Sequence, residues 1–453
     1  MASDGKSRLE QIGSSLRNVH SRPGTVRVSR KEPDEPSAVA VQDSNGPVPP
    51  PEDASVATSK NGHQAAQKFN AKDAQGGSPQ EQVSNSGSND VAPEDTDSSR
   101  RVDGGLDATT SSSFTSASRS KSTIAYKKFN RILDTDMIKM DELREISWSG
   151  IPPQLRPECW RLLLGYLPPN RERQASVLAR KRKEYLNMVP EYYDIANNQR
   201  SEEELGALRQ VAVDVPRTAP GVPFFQHAVI QKSLERILYI WGIRHPASGY
   251  VQGINDLVTP FLVVFTSEHF EGGMESWETW DLDHLSEEVV LGIEADCYWC
   301  LCKLLDGIQD HYTSAQPGIQ RTVFKVKELV SRINQKLAFH FENQEVDFLQ
   351  FAFRWVNCLL LREFPFEMAP RLWDTYIAEA AGTKFSEFLA YTCATFLLHW
   401  VDIIHDMEFQ DLIMFLQKLP TSNWTEKEVE MILSTAFMYQ SSFGKSSSHL
   451  GGW

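Results

Sequence analysis

Apolar side chains recur at helical spacing along the chain from about residue 126 onward. Around Phe129, Ile132 and Leu133 they return every three or four positions, as on one face of an α-helix. The same spacing predicts helices over 155–164, 181–193, 224–244, 250–265, 286–306, 319–337, 347–364, 369–381, 385–404, 409–416 and 425–438. No stretch shows sustained alternation of apolar and polar residues. We therefore expect an all-α fold, in one large bundle or in two lobes.

Helix-breaking and helix-starting residues separate these segments. Two breaks combine glycine and proline, at 150–153 and at 245–249. Two capping boxes, in which Ser or Thr is followed three residues later by Glu, predict helix starts at Ser201 and Thr425. Pro260 should kink its helix, because proline cannot donate the backbone hydrogen bond and clashes with the preceding turn.

The first part of the chain has a different composition. All 11 Trp residues lie after residue 147, whereas residues 1–130 contain 23 Ser and only four aromatic residues. Such a segment cannot bury enough apolar surface to offset the entropy lost on ordering. We expect a disordered tail over 1–122, a lead-in helical segment over 123–145, a folded domain over 146–440 and a flexible C-terminus over 441–453.

The end of this tail carries a candidate phosphorylation site. Ser120 and Ser122 alternate there with basic residues. One interpretation is regulation, because added phosphate charge creates docking sites for partner proteins. The other is an unmodified linker.

Charge is distributed unevenly between the two parts. Residues 1–130 hold 16 basic and 16 acidic residues, so the remainder, with 30 basic and 44 acidic residues, carries the whole net charge of −14. An acidic region without a basic cluster is a poor binder of nucleic acid or of anionic membranes.

No apolar run reaches the about 20 residues of a membrane span, and the N-terminus has no apolar signal-peptide core. Six cysteines without disulfide spacing favour a reducing compartment.

The group Cys297, Cys300 and Cys302 is the first candidate for chemistry, as a metal or redox site. A structural zinc site needs four ligands in two spaced pairs, which this group does not provide. The three cysteines lie among apolar residues of a predicted helix, which favours buried core cysteines. The chain also lacks a Gly-x-Ser-x-Gly nucleophile motif and a Gly-x-x-x-x-Gly-Lys phosphate loop.

A carboxylate and a guanidinium stand three residues apart in the segment 211–218. Asp214 and Arg217 project from what we predict to be a short loop, because the following Thr-Ala-Pro-Gly-Val-Pro cannot continue a helix. One interpretation is a local salt bridge that fixes the loop, worth roughly 0–1 kcal/mol. The other is an arginine presented to a phosphate.

A polar group interrupts the apolar helix predicted from Tyr250. Gln252 is expected in its first turn, with Asn255 and Asp256 on the same face. The flanking glycine Gly253 is unfavourable in a helix by about 0.8–1 kcal/mol relative to alanine. Either Gln252 is a hydrogen-bonded structural residue, or the glycine permits close approach by a partner.

Three short motifs and a downstream block occur in a fixed order: Arg156-x-x-x-Trp160, Val211-x-x-Asp214-x-x-Arg217, Tyr250-x-Gln252-Gly253, then Arg354-Trp355, Arg362-Glu363-Phe364-Pro365 and Arg371-x-Trp373-Asp374. Together they resemble the TBC domain of Rab GTPase-activating proteins, over about residues 146–440. The one departure is Val211 in place of isoleucine. The sequence around 146–151 and 245–257 is most similar to that of the Golgi-associated subgroup called TBC domain family member 22.

The resemblance implies that two side chains enter the active site of a partner GTPase. Arg217 would be an arginine finger that neutralises charge on the transferred phosphoryl group, and Gln252 would orient the attacking water. The remaining matched residues would support them: Asp214 by positioning the Arg217 segment, Gly253 by close backbone approach, Arg156 and Trp160 by bracing the domain, and Tyr250, Asn255 and Asp256 beside the site.

The resemblance also implies a fold of two helical lobes and a partner, a GTP-bound Rab. The Rab would hold GTP and Mg²⁺, so the chain would need no cofactor or metal, and it would activate hydrolysis without hydrolysing GTP alone. The expected location is the cytoplasm, with recruitment to Golgi or other endomembranes through the Rab or through adaptor proteins bound to the tail. The alternatives are a catalytically silent scaffold for Rab or Golgi proteins, and a metal-dependent redox protein built on Cys297.

Overall fold

The computed structural model describes residues 123–380 and 384–444, and within these ranges it contains helices and short turns but no β-strand. The all-α class is therefore confirmed. The expected tail over 1–122, with Ser120 and Ser122, lies outside the described residues. The helices are α1 (123–133), α2 (Met140–Trp148), α3 (Arg156–Leu163), α4 (Arg171–Met188), α5 (Glu202–Asp214), α6 (Pro223–Gln226), α7 (Ala228–Arg244), α8 (Ile254–Thr266), α9 (Glu287–Asp306), α10 (Pro317–Ile333), α11 (Gln335–Asn343), α12 (Leu349–Asn357), α13 (Ala369–Glu379), α14 (Lys384–Leu398), α15 (Val401–Ile404), α16 (Phe409–Gln417) and α17 (Glu426–Phe443).

The helices form two lobes. In the first lobe α4, α5, α7, α8 and α9 pack together, and in the second α10, α11, α12, α14, α16 and α17 do so. Helix α13 contacts α3 and α8 on one side and α14 and α17 on the other, so it joins the lobes. Each lobe has a helix at its centre: all 13 residues of α8 are buried, and so is the run 388–397 of α14.

Helix α8 continues through its internal proline. Pro260 has no N–H to offer the carbonyl group of Asp256, one turn earlier. The hydroxyl of Thr259 replaces that donor and lies 2.7 Å from the Asp256 carbonyl oxygen. A buried backbone acceptor is thus satisfied by the neighbouring side chain.

The structure divides three predicted helices, 224–244 into α6 and α7, 319–337 into α10 and α11, and 385–404 into α14 and α15, and it shortens a fourth. The helix expected over 319–337 is interrupted at Asn334, whose backbone has φ −139° and whose side-chain oxygen accepts from the Leu337 N–H at 3.0 Å, which starts α11. The helix expected over 347–364 stops at Asn357, because the backbone beyond it turns left-handed.

Other helix ends either agree with the prediction or are displaced from it. Both predicted capping boxes are present, at Ser201 and Thr425. The helix expected over 181–193 begins at Arg171, where Asn170 caps it, and ends in a π-helical turn. At the other end of the domain α17 runs to Phe443, past its expected end.

The three clustered cysteines belong to the core of the first lobe. Cys297, Cys300 and Cys302 are buried in α9. Burial raises the pKa of the Cys302 thiol to about 12 and raises the pKa of the other two well above the usual range. The thiolate form that metal or redox chemistry requires is therefore disfavoured.

Two features are absent from the described ranges, a metal site and a membrane-spanning helix. No group of three or more His, Cys, Asp or Glu residues within 123–380 and 384–444 could hold a metal ion. Among the helices of the same ranges, none has the length and apolar character needed to cross a membrane.

Candidate functional site

The C-terminus of α5 presents Arg217. A helix end leaves its last carbonyl groups without helical partners. Here Arg217 Nε donates to the Val213 carbonyl oxygen at 3.0 Å, and the Thr218 hydroxyl donates to the Asp214 carbonyl oxygen at 3.0 Å. A cation is also favoured at this end of a helix. The guanidinium is therefore oriented by the helix, while 63% of the Arg217 side chain stays exposed.

Asp214 connects this helix end to the next motif. It is the last residue of α5, which corrects the expectation that Asp214 lies on a loop. One carboxylate oxygen accepts from Arg217 Nη2 at 2.8 Å and the other accepts from the Tyr250 hydroxyl at 3.0 Å. Burial and the Asp214 carboxylate raise the pKa of Tyr250, so its hydroxyl keeps the proton that it donates.

A second, buried link runs through Asn255. Its Nδ2 donates to the Thr218 hydroxyl at 2.9 Å, and its Oδ1 accepts from the Gly253 backbone N–H at 2.9 Å. Asn255 is 2% exposed and Thr218 is fully buried. The segment that carries Arg217 and the segment that carries Gln252 are thus joined by two chains of hydrogen bonds.

The Gln252 segment is a turn and not the start of a helix. Gln252 lies in the turn that precedes α8, and its side chain is exposed. The expectation of a first-turn position is wrong, because Gly253 has φ +109° and ψ −26° and so cannot be helical. This left-handed backbone favours glycine. Gln252 lines a groove together with Phe353, Asn357 and Arg362.

Asp256 contacts two residues that line that groove, Cys358 and Arg362. It is 6% exposed and pairs with Arg362, whose Nη2 lies 2.8 Å from the carboxylate. The Cys358 thiol lies 3.4 Å from the same oxygen. The pair fixes the first turn of α8 against the second lobe.

Arg156 and Trp160 lie in a different place, on α3. Both donate to the carboxylate of Asp374 on α13, Arg156 from Nε at 3.0 Å and Trp160 from Nε1 at 2.8 Å. The Ile151 backbone N–H adds a third donor at 2.9 Å. The side chains of Arg156, Trp160 and Asp374 are all buried. This cluster therefore holds α3 against α13, the helix that joins the lobes.

The structure therefore divides the expected site residues into two sets. Seven come together around the Arg217 and Gln252 segments. Arg217 and Gln252 are exposed, and the other five support them: Asp214, Tyr250, Gly253, Asn255 and Asp256. The other two, Arg156 and Trp160, belong to the cluster at Asp374. Further residues touch the site, among them Thr218 and Asn357. Thr218 adjoins Arg217 in the sequence, whereas nothing in the sequence pattern points to Asn357.

The arrangement presents polar groups that can form hydrogen bonds with a ligand. Two exposed polar groups, a guanidinium and a carboxamide, are backed by buried and hydrogen-bonded side chains. A guanidinium stays charged and offers bidentate donors to phosphate oxygens, and a carboxamide offers both a donor and an acceptor to water. Because neighbouring side chains already restrain both groups, each loses less conformational entropy when it binds a ligand.

The sequence profile of the Rab-GTPase-TBC domain matches residues 153–403. The chain belongs to the Rab-GTPase-TBC domain family. The family expected from the motifs is thus confirmed, and the matched range lies within the expected domain over 146–440.

The relatives of this TBC-domain chain agree with the expected subgroup. Human TBC1 domain family member 22B is 49% identical over 324 residues, which cover 71% of this chain and 63% of the relative. The GTPase-activating protein gyp1 of Schizosaccharomyces pombe is 48% identical over 324 residues, covering 72% of this chain and 62% of the relative. The chain thus matches less than two thirds of the length of these relatives.

Solved structures show the same TBC fold. The crystal structure of the Ypt/Rab-GAP domain of Gyp1p superposes with a TM-score of 0.68 at 45% identity and covers 71% of this chain and 99% of that chain. A Chlamydomonas flagellar RabGAP TBC domain superposes with a TM-score of 0.51 at 19% identity, over 73% of this chain and 96% of that chain. The second likeness concerns the fold alone.

Proposed function

We propose that this protein is a GTPase-activating protein for Rab-family small GTPases. It would supply Arg217 and Gln252 to the nucleotide site of a GTP-bound Rab, which itself holds GTP and Mg²⁺. The observation that carries the proposal is that these two side chains are exposed in segments joined by buried hydrogen bonds, in a chain of the TBC family.

Arg217 would act on the charge that develops during phosphoryl transfer. Its guanidinium is held at the end of α5 through Nε and Nη2, which leaves further N–H donors for phosphate oxygens. Arginine fingers accelerate GTP hydrolysis by about 10³–10⁵, which corresponds to roughly 4–7 kcal/mol of activation free energy. Asp214 would serve as the positioning residue, because it fixes the guanidinium without covering it.

Gln252 would orient the attacking water. In many GTPases a glutamine of the GTPase itself does this, and here a glutamine from the activator would take its place. The exposed position of Gln252 in a turn held by Gly253 and Asn255 suits insertion into a partner.

The experiment is single-turnover GTP hydrolysis across a panel of GTP-loaded Rab proteins. We expect acceleration of one or more Rabs by the full chain, and a loss of about 10³-fold or more with Arg217→Ala. Arg180→Ala is a matched control, because Arg180 is an exposed arginine on α4 that pairs with Glu184. Unchanged acceleration with Arg217→Ala would exclude the proposal.

The same assay separates the proposal from a scaffold role. A scaffold would bind GTP-bound Rab and leave its hydrolysis rate unchanged with every member of the panel. The exposed, oriented guanidinium of Arg217 is the observation that favours catalysis over binding alone.

We further propose that the protein works in the cytoplasm and is recruited to Golgi or neighbouring endomembranes in vesicle traffic. The support is the likeness to TBC1 domain family member 22B together with the acidic character of residues 131–453. Recruitment would come through the Rab or through adaptors that bind the tail, since an acidic surface is not attracted to anionic lipid. Co-localisation of the tagged full chain with a Golgi marker tests this location.

A further inference from the structure

Asn357, the last residue of α12, contacts the Gln252 turn from the second lobe. Its Nδ2 donates to the Gln252 carbonyl oxygen at 3.2 Å, across 105 positions of sequence. Asn357 is 8% exposed. We propose that Asn357 is a positioning residue that holds Gln252 in the geometry needed for catalysis. The inference rests on the proposed function and assigns this residue a part in it.

The side chain of Asn357 also fills the space beside Gly253. A Cβ atom added to Gly253 would lie 2.2 Å from Asn357 Nδ2 and 3.0 Å from its Cγ. The turn therefore cannot move toward α12 without a clash, and it cannot move away without losing the hydrogen bond to Gln252. Contact and hydrogen bond together fix the turn along one direction.

Asn357 is itself firmly supported. Its own carbonyl oxygen accepts from the Tyr312 hydroxyl at 2.8 Å, and Tyr312 is 1% exposed. The next part of the chain has left-handed backbone at Leu359 (φ 51°) and Leu360 (φ 63°), and both leucines are fully buried. Such backbone persists only where its surroundings hold it, and it is common near functional sites.

Packing alone does not explain an asparagine at this position. Within the described ranges its Oδ1 atom is buried without a hydrogen-bond partner. An unpaired buried acceptor is unfavourable, and an apolar side chain of similar volume would avoid it. What asparagine supplies, and leucine would not, is the N–H donated to Gln252.

The effect on catalysis follows from geometry. A group that orients a water must stay close to its productive position, and a misplacement of about 1 Å can lower the rate about 10²-fold. Loss of the Asn357 contact should loosen the Gln252 turn without removing Arg217 or changing the surface that meets the Rab. The maximal rate should therefore fall more than the affinity.

The experiment measures single-turnover hydrolysis by a GTP-loaded Rab that the full chain accelerates, with activator concentration varied. Asn357→Leu keeps the volume and removes the donor, and Asn357→Ala serves if the leucine variant does not fold. We expect a maximal rate about ten- to a hundredfold lower, with an unchanged concentration for half-maximal stimulation. Val356→Ala, a buried truncation on the same helix, controls for lost stability and should keep the wild-type rate.

The decisive comparison uses the Gln252→Ala background. If Asn357 acts through Gln252, Asn357→Leu lowers the rate no further there. A full additional decrease in that background, or a wild-type rate for folded Asn357→Leu, overturns the positioning role. The proposed function is tested separately. It stands in either case if the wild type accelerates hydrolysis and Arg217→Ala abolishes that acceleration. A wild type that accelerates no Rab overturns the proposed function and this inference with it.

Discussion

The carboxylate of Asp214 uses its two oxygens for two different tasks. One oxygen binds the Arg217 guanidinium at 2.8 Å, and the other accepts the Tyr250 hydroxyl at 3.0 Å. A buried carboxylate needs such partners, because an unpaired charge away from water is costly. Since Asp214 is 5% exposed and Arg217 reaches solvent, the pair is anchored at one end and open at the other. The Arg217 guanidinium is thereby held in place while it remains accessible to a ligand.

A buried histidine near the site makes stability depend on pH. His311 is 1% exposed. Burial lowers its pKa to about 4, while the charge of Asp310 opposes this shift and that of Arg321 adds to it. An unfolded chain protonates this histidine near its ordinary pKa of about 6.5. Between these two values the unfolded state binds more protons than the folded state, so stability falls as the pH falls.

We predict a loss of about 2 kcal/mol in the free energy of unfolding from this histidine between pH 7.5 and pH 5.0. Urea unfolding at the two pH values, compared between the wild type and His311→Gln, isolates the contribution from those of other groups. The variant should show a correspondingly weaker pH dependence. Equal pH dependence in both proteins would contradict the assignment.

At the scale of elements, the sequence predicts the helices well and the turn at the site poorly. Helices with side-chain caps, such as those that begin after Ser201 and Thr425, start where expected because their capping boxes are visible in the sequence. Helix α8 begins after Gly253, which has no side chain to cap it. Without a cap residue, periodicity alone placed Gln252 inside the helix.

Contacts between distant elements are the part that one sequence does not predict. The motifs identified the Arg217 and Gln252 segments, but the hydrogen bond from Asn357 to Gln252 spans 105 positions. The clustering of Arg156 and Trp160 at Asp374 likewise depends on how α3 packs against α13. Periodicity indicates which face of a helix is buried and does not indicate which helix covers it.

The cluster at Asp374 should be a strong fastening between α3 and α13. Arg156→Ala would leave a fully buried carboxylate without its cation, a change that costs about 3–5 kcal/mol in buried pairs. Urea unfolding measures this cost. Arg180→Ala, which breaks an exposed ion pair with Glu184, should cost about 1 kcal/mol or less. Equal costs for the two variants would show that the cluster contributes no more than a surface pair.

At the scale of the whole molecule, the site presents the exposed guanidinium of Arg217 on an acidic protein. Residues 131–453 hold 30 basic and 44 acidic residues, so the surface as a whole gives little attraction for phosphate groups. Attraction to a nucleotide must then come from a placed side chain. All the contacts described for the Arg217 and Gln252 segments arise from residues between 211 and 362.

We therefore predict that residues 1–122 are dispensable for activation in solution. A truncated chain that starts at residue 123 should accelerate GTP hydrolysis by a soluble Rab at the rate of the full chain, because it keeps every described contact of the site. Single-turnover hydrolysis compares the two, with Arg217→Ala in the truncated chain as the inactive control. A large fall in rate on truncation would place part of the catalytic machinery in the tail.

We propose that this protein supplies both an arginine and a glutamine to a partner's active site. The most direct measurement uses a Rab whose own catalytic glutamine is replaced by alanine. The wild-type protein should still accelerate GTP hydrolysis by that Rab, and Gln252→Ala should not. The opposite result would contradict the role of Gln252: no acceleration of the altered Rab by the wild-type protein, and retained acceleration of the unaltered Rab by Gln252→Ala.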